Sequence, residues 1–425
     1  MFVKANVHSQ TIPGDKNADS TILKSDSAQR NIKKDSVNLK SKKEIHAKSQ
    51  KDTVLAKDIH PQDSPDKTGF FIESKDKKSN LRILGSIRLF GSYDFNGLKG
   101  GTSFAISDIP TGTEKNNEKT FFLTANISRL GLESNLNSKI GKTFMRIEAD
   151  FNGNGNEFRI RHAYGQGGFL LAGQTWTVFS DVQTTPITVD LEGPPTAVTL
   201  RTVQIRYYTD FGNDLYFKAS IEAPNVSIVI PDSLTLEPVS QRFPDLAVNL
   251  KKDLQYFDVS LAGVFKSISV RNISGDLESL KGGGGLISGN VKVVKDTKVN
   301  FQILYGFGIS SYLNISNNNT VDVILNSQNG KYELMGSYGG FISLGKSLFN
   351  KILDVNIIYG QVNFLMKDYF DANTFKNGQY FALNTFLTSG LGFRIGAEYT
   401  YGFKKTKDNS SGNANRAAFT FYYTF

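Results

Sequence analysis

From about residue 80 to the end, apolar and polar positions alternate with a period of two, the signature of strands that show one face to oil and the other to water. In the first run Leu81, Ile83, Ile87, Leu89, Tyr93 and Phe95 share one face, and Arg82, Ser86, Arg88, Ser92 and Asp94 the other. The same reading sets Met145, Ile147, Ala149 and Phe151 against Arg146, Glu148 and Asp150, and Val299, Phe301, Ile303 and Tyr305 against Lys298, Asn300 and Gln302. About sixteen such runs follow one another, with starts near 80, 120, 140, 157, 168, 199, 213, 244, 255, 283, 297, 331, 350, 377, 391 and 414. Their connections alternate in length. Short ones have turn composition, as in Gly165-Gln166-Gly167-Gly168, Phe211-Gly212-Asn213-Asp214, Lys252-Asp253 and Ser389-Gly390. Long ones span 97 to 119, 176 to 198, 224 to 243, 271 to 282 and 313 to 330. A soluble sandwich has no reason to sort its loops in this way. The pattern predicts an all-β fold: a 16-stranded antiparallel transmembrane barrel over residues 80–425, with turns at one end and loops at the other.

Before residue 80 the alternation is lost. Between Phe2 and Phe70 there is no aromatic residue, and Lys, Ser, Asp, Asn and Gln crowd the stretch. Such a segment cannot bury enough apolar surface to offset its ordering entropy, so residues 1–79 read as a disordered, flexible, basic tail, periplasmic if the barrel reading holds. Ile32, Leu39, Ile45 and Val54 offer, as the alternative, a short amphipathic helix that docks a partner, but they do not sustain heptads. The opening Met1-Phe2-Val3-Lys4-Ala5-Asn6 has no apolar signal core, so targeting is not visible there.

Composition narrows the chemistry. The chain of 425 residues carries 49 Lys plus Arg against 40 Asp plus Glu, a formal charge of +9, yet the tail lacks the arginine runs and stacking aromatics of a nucleic-acid binder. The absence of cysteine excludes disulfides, thiolate catalysis and sulfur-ligated metals. Three of the four histidines, His8, His46 and His60, lie in the tail, leaving His162 as a ring at a strand margin with local hydrogen bonds. No metal site, cofactor or Ser-His-Asp triad is expected, and no G-x-S-x-G elbow occurs. Gly340-Phe341-Ile342-Ser343-Leu344-Gly345-Lys346-Ser347 fits the phosphate-loop expression. Its interior is apolar and a strand pattern follows it, so Gly345-Lys346-Ser347 reads as a turn and the run Gly282 to Gly285 as a flexible loop end. No apolar run is long enough for a membrane-spanning helix.

The last strand alternates Phe419, Phe421, Tyr423 and the terminal Phe425 with Thr420, Tyr422 and Thr424. It resembles the C-terminal signal by which bacterial barrel-assembly machinery recognises outer-membrane proteins. Further motifs are Ser128 to Glu133, Glu148-Ala149-Asp150-Phe151, Phe158-Arg159-Ile160-Arg161-His162-Ala163-Tyr164, Gly173 to Asp181 and Arg201 to Tyr208. In these the chain resembles the DcaP-like porins, trimeric outer-membrane channels, over about a quarter of its length. The resemblance implies a 16-stranded barrel embedded in outer-membrane lipid, a homotrimer, and a third external loop folded inward from Trp176 to Thr199 to constrict the pore. It also implies passive passage of small solutes.

An inward loop would bring Asp181, Asp190 and Glu192 towards wall arginines, the set being Arg129, Arg146, Arg159, Arg161 and Arg206. Parity puts Arg159 and Arg161 on the lumen face; Arg129 shares its parity with Leu123, Ala125 and Ile127, which calls for either a bulge or a changed orientation. Guanidinium forks in a narrow, partly dewatered eyelet suit carboxylates. The expected function is a diffusion channel favouring small anions such as dicarboxylates, with Glu148 and Asp150 moderating the preference. The alternatives are a non-conducting barrel serving as adhesin or anchor, a barrel hydrolase, and a soluble basic β-rich binding protein.

Overall fold

The computed structural model describes residues 69–112, 117–138, 141–230, 239–316, 319–389 and 392–425. Most of the expected tail, residues 1–68, lies outside them. The wall is built from β1 (Ser79–Asn96), β2 (Thr120–Thr124 continued by Arg129–Ser138), β3 (Gly141–Asp150), β4 (Arg159–Gly167), β5 (Leu170–Trp176), β6 (Arg201–Asp210), β7 (Leu215–Glu222) and β8 (Asp245–Asp253). It continues with β9 (Phe257–Arg271), β10 (Leu277–Val294), β11 (Thr297–Phe307), β12 (Gly336–Leu348), β13 (Leu353–Phe364), β14 (Phe375–Thr388), β15 (Phe393–Thr406) and β16 (Ser411–Thr424). Each strand pairs antiparallel with the next, and β16 returns to β1 with Arg88 opposite Tyr422 and Ser92 opposite Ala418. The result is a closed 16-stranded barrel, in which no edge is left to aggregate.

Side-chain burial follows the alternation. Ile87 (62% exposed) points outward, whereas Arg88 and Asp94 are buried in the lumen. An apolar exterior and a polar interior invert the soluble arrangement, as a lipid surround requires. On β16 Phe419, Phe421 and Tyr423 face outward, and Phe425 exchanges backbone hydrogen bonds with Gly85 (3.0 and 3.1 Å). Beyond Phe425 the seam is continued by a short strand, Phe70–Glu73, paired with Asn80 to Ile83 of β1. This strand falls within the stretch read from sequence as tail.

Two expected boundaries move. Gly345-Lys346-Ser347 lies inside β12, and the turn comes later, at Phe349, Asn350 and Lys351, all with positive φ. Gly282 to Gly285 lies inside β10 rather than in a loop, so the connection from β9 shrinks to residues 272–276. These glycines make room inside the barrel: a Cβ on Gly284 or Gly306 would come within 2.8 or 2.7 Å of Ile309 Cδ1, which belongs to an inward loop.

Three long connections, L1 (97–119), L3 (177–200) and L6 (308–335), send described residues into the lumen at one end: 97–112 of L1, the whole of L3, and 308–316 and 319–335 of L6. Their apolar residues, among them Phe104 and Ile109 of L1, Val178 and Phe179 of L3, and Ile309 and Tyr312 of L6, pack with wall residues such as Leu304, Ile358 and Tyr380 into one buried cluster. Residues 228–229, 323–325 and 332–334 add a small three-stranded sheet that links the fourth long connection (223–244) to L6.

Candidate functional site

Two bulges set the lumen face. On β2 four residues, Ala125 to Ser128, stand opposite three on β1, since Thr124 pairs with Phe90 and Arg129 with Ser86. The extra residue flips parity and turns Arg129 inward, as expected. Ser128 Oγ accepts from the Arg88 amide at 3.0 Å, replacing a ladder bond lost at the break. On β4, Glu148 of β3 pairs with His162 and Ala149 with Ile160, leaving Arg161 as the bulged residue. Arg161 and His162 therefore both face the lumen. Simple alternation would have sent His162 outward; it is buried, with Nδ1 3.1 Å from Thr175 Oγ1 and its ring edge-on to Trp176 at 5.5 Å.

On the wall these bulges gather a charge ladder. Asp150 accepts from Arg159 Nε (3.0 Å) and Nη2 (2.8 Å) and from Arg161 Nη1 (2.9 Å). Glu148 accepts from Arg161 Nε (3.0 Å), pairs with Arg129 at 3.7 Å, and takes a short bond from Arg146. Arg146 also reaches Glu133 at 3.5 Å.

Facing this ladder is L3, held by the barrel rather than by the arginines. Glu222 of β7 accepts from Val178 N (2.8 Å) and Thr177 Oγ1 (2.6 Å), and Glu398 of β15 accepts from Val189 N and Asp190 N (3.0 Å each). Asn249 of β8 donates to the Val178 and Ser180 carbonyls. Between the loop and the ladder lies a cavity of about 180 Å³, lined on the wall by Arg129, Arg159, Arg161 and Arg201 and on the loop by Thr185, Pro186, Thr188, Leu191 and Glu192.

Of the basic residues predicted from sequence, Arg129, Arg159 and Arg161 line this cavity. Arg146 faces the lumen but is spent on Glu133 and Glu148, and Arg206 donates to Gln204 Oε1 (3.0 Å) and to the Trp176 carbonyl, away from the cavity. The acidic residues of L3 divide likewise. Only Glu192 lines the cavity; burial, with Asp190 beside it, pushes its carboxyl up to about 7. Asp181 does not meet the arginines: Lys251 Nζ of β8 holds it at 3.1 Å, and Ser288 of β10 donates to it at 3.2 Å. Asp190 turns back on the loops, accepting from the amides of Phe104 (2.7 Å), Glu192 (3.1 Å) and Gly193 (2.8 Å); burial raises its pKa, with Arg416 opposing. Trp176 ends β5 beside the cavity. Arg201, the first residue of β6, was not singled out in sequence; its guanidinium lies 3.7 Å above the Trp176 ring centroid. Its place just after the loop, at the head of the Arg201 to Tyr208 motif, was the signal available.

The sequence model of the DcaP outer membrane protein family matches residues 26–425. The chain belongs to that family. Among solved structures, the outer membrane channel DcaP of Acinetobacter baumannii is similar with a TM-score of 0.72 and 22% identity, covering 84% of this chain and 100% of that one. The anion-selective porin from Comamonas acidovorans follows with a TM-score of 0.55 and 11% identity over 82% and 100% of the two chains. OmpF of Salmonella typhi, in complex with daunomycin, has a TM-score of 0.53 and 12% identity over 83% and 100%. No curated protein matches the sequence. At these identities the solved structures speak for the fold, while the family match makes the chain a DcaP-family outer membrane protein.

Proposed function

We propose that this member of the DcaP family is a diffusion channel that favours small anions through the cavity between L3 and the arginine ladder, with dicarboxylates as the solute class. The observation that carries the reading is the excess of guanidinium there. Four arginines line the cavity, and among its lining residues Glu192 is the only carboxylate. The carboxylates behind them, Glu148 and Asp150, are held by Arg129, Arg146, Arg159 and Arg161. A second carboxylate on the solute would find a second fork within the same cavity, which suits bidentate recognition. The anion-selective porin from Comamonas acidovorans shares the fold, and so does OmpT of Vibrio cholerae in its trimer form, the latter supporting a homotrimer here. The outward aromatics Phe419, Phe421, Tyr423 and Phe425 would serve recognition by the assembly machinery, and the tail would lie on the periplasmic side, where β1 begins.

In planar bilayers under a salt gradient, the reversal potential is expected to have the sign of anion preference, and a dicarboxylate added to one side should reduce single-channel current. A cation-preferring reversal potential would overturn the selectivity. Absence of conductance steps from correctly folded protein would leave the non-conducting anchor.

A further inference from the structure

Three of the four cavity-lining arginines are partly neutralised at source. Arg159 and Arg161 hold Asp150 in paired hydrogen bonds, and Arg129 and Arg161 share Glu148. Arg201 differs. Among the described residues no carboxylate pairs with it, and its buried Nε has no hydrogen-bond partner. What fixes it is an aromatic face: the guanidinium carbon lies 3.7 Å from the Trp176 ring centroid, a cation–π contact that orients the group without pairing it to a carboxylate. Trp176 in turn is wedged by His162, whose ring meets it edge-on at 5.5 Å and which is itself anchored to Thr175. The register explains why the stack forms, since Trp176 and Arg201 are direct cross-strand partners on β5 and β6, at the two roots of L3.

We infer that Arg201, stacked on Trp176, is the residue that sets the charge preference of this channel, with Trp176 and His162 as positioning residues. The inference rests on the anion-favouring reading above and deepens it. A cation matched by a bonded carboxylate presents a weak field to a passing ion, whereas an unmatched one in a narrow lumen acts at full strength. Arg129, Arg159 and Arg161 accordingly share their charge with Glu148 and Asp150, and Arg201 adds the one guanidinium of the lining that no carboxylate holds.

The test uses full-length protein reconstituted in planar bilayers, with barrel formation of every variant checked by its shifted gel mobility before boiling. Arg201→Gln is expected to lower the anion-to-cation permeability ratio by about five-fold or more, the factor a unit charge carries at about 4 Å even in bulk water. Arg201→Lys keeps the charge and should retain part of the ratio. Trp176→Leu keeps Arg201 but frees it, and should lower the ratio less than Arg201→Gln while broadening the open-state current. Wild-type protein without anion preference would overturn the parent reading, and this inference with it. An anion-selective wild type matched in ratio by Arg201→Gln would overturn the inference alone. A Trp176→Leu channel indistinguishable from wild type would remove the positioning role.

Discussion

At the residue scale, the lumen separates charges that build from charges that remain available. Arg206 and Arg146 had the parity of pore-lining groups, and the alternation placed both inward correctly. What alternation cannot show is how far an inward arginine is already engaged, because that depends on which side chains the neighbouring strands set beside it. Arg206 sits against Gln204 and a backbone carbonyl, whereas Arg201, at the head of the same motif and just after a loop, faces the cavity. Glu192 is the acidic counterpart. Its carboxyl is pushed up to about 7 by burial and by Asp190. A raised carboxyl pKa means the charge is present above that value and lost below it, so acidification through neutrality removes the one carboxylate in the cavity lining while the arginines stay charged. Anion preference is therefore expected to rise as pH falls from about 8 to about 6. Glu192→Gln should show the acidic-pH ratio throughout that range. Reversal potentials recorded across it decide the matter: an equally steep profile in Glu192→Gln would assign the titration to another group.

At the level of the strand, period-two alternation was enough to place most of the wall, since every run of the sequence pattern became a strand of the barrel. The two displaced boundaries, at Gly282 to Gly285 and at Gly345, have one physical source. Glycine carries no side chain and so contributes no polarity to an alternation; Gly282 to Gly285 and Gly345 read as punctuation although the ladder runs through them. In this barrel several glycines are spaces for inward loops rather than breaks. A Cβ on Gly360 of β13 would lie 2.7 Å from Pro194 Cβ and 3.3 Å from Pro195 Cδ, and one on Gly339 of β12 would lie 2.9 Å from Thr196 Cγ2. L3 thus rests in a notch of missing side chains. Gly360→Val should displace the Pro194 to Thr196 segment, at a cost of about 1–3 kcal/mol for overpacking, and alter single-channel conductance. Gly285→Ala, where the nearest atom to a new Cβ is the Ala262 carbonyl oxygen at 4.0 Å, should leave conductance unchanged. Equal conductance in both variants would show that L3 does not depend on the notch.

For the whole molecule, the constriction is a property of three loops rather than one. L3 is marked in the sequence by its resemblance to a known motif; L1 and L6 give no such signal, because their apolar residues are spaced irregularly and match neither strand nor helix. The packing shows why all three are needed. L1 is clamped by Arg416, which grips Asp94 at 2.6 and 2.9 Å and donates to the Gly101 and Ser103 carbonyls. L1 then holds the tip of L3 through Leu191 N to Thr102 O (3.1 Å), and L6 holds its far limb. Asn314 of L6 is the joint: Oδ1 accepts from Thr199 Oγ1 and Nδ2 donates to the Glu192 carbonyl, both at 2.6 Å, while its amide reaches the Pro195 carbonyl at 3.0 Å. Asn314→Ala would remove the two side-chain bonds, each worth about 1 kcal/mol net, without removing any charged side chain from the cavity lining. If the loops act as one body, L3 amides should exchange hydrogen faster in this variant and the open-channel current should become noisier, with the selectivity ratio little changed because Arg201 stays stacked on the wall. Unchanged exchange and noise would mean that the barrel anchors from Glu222 and Glu398 suffice. A changed ratio with unchanged noise would place the selectivity-setting charge on L3 itself rather than on the wall.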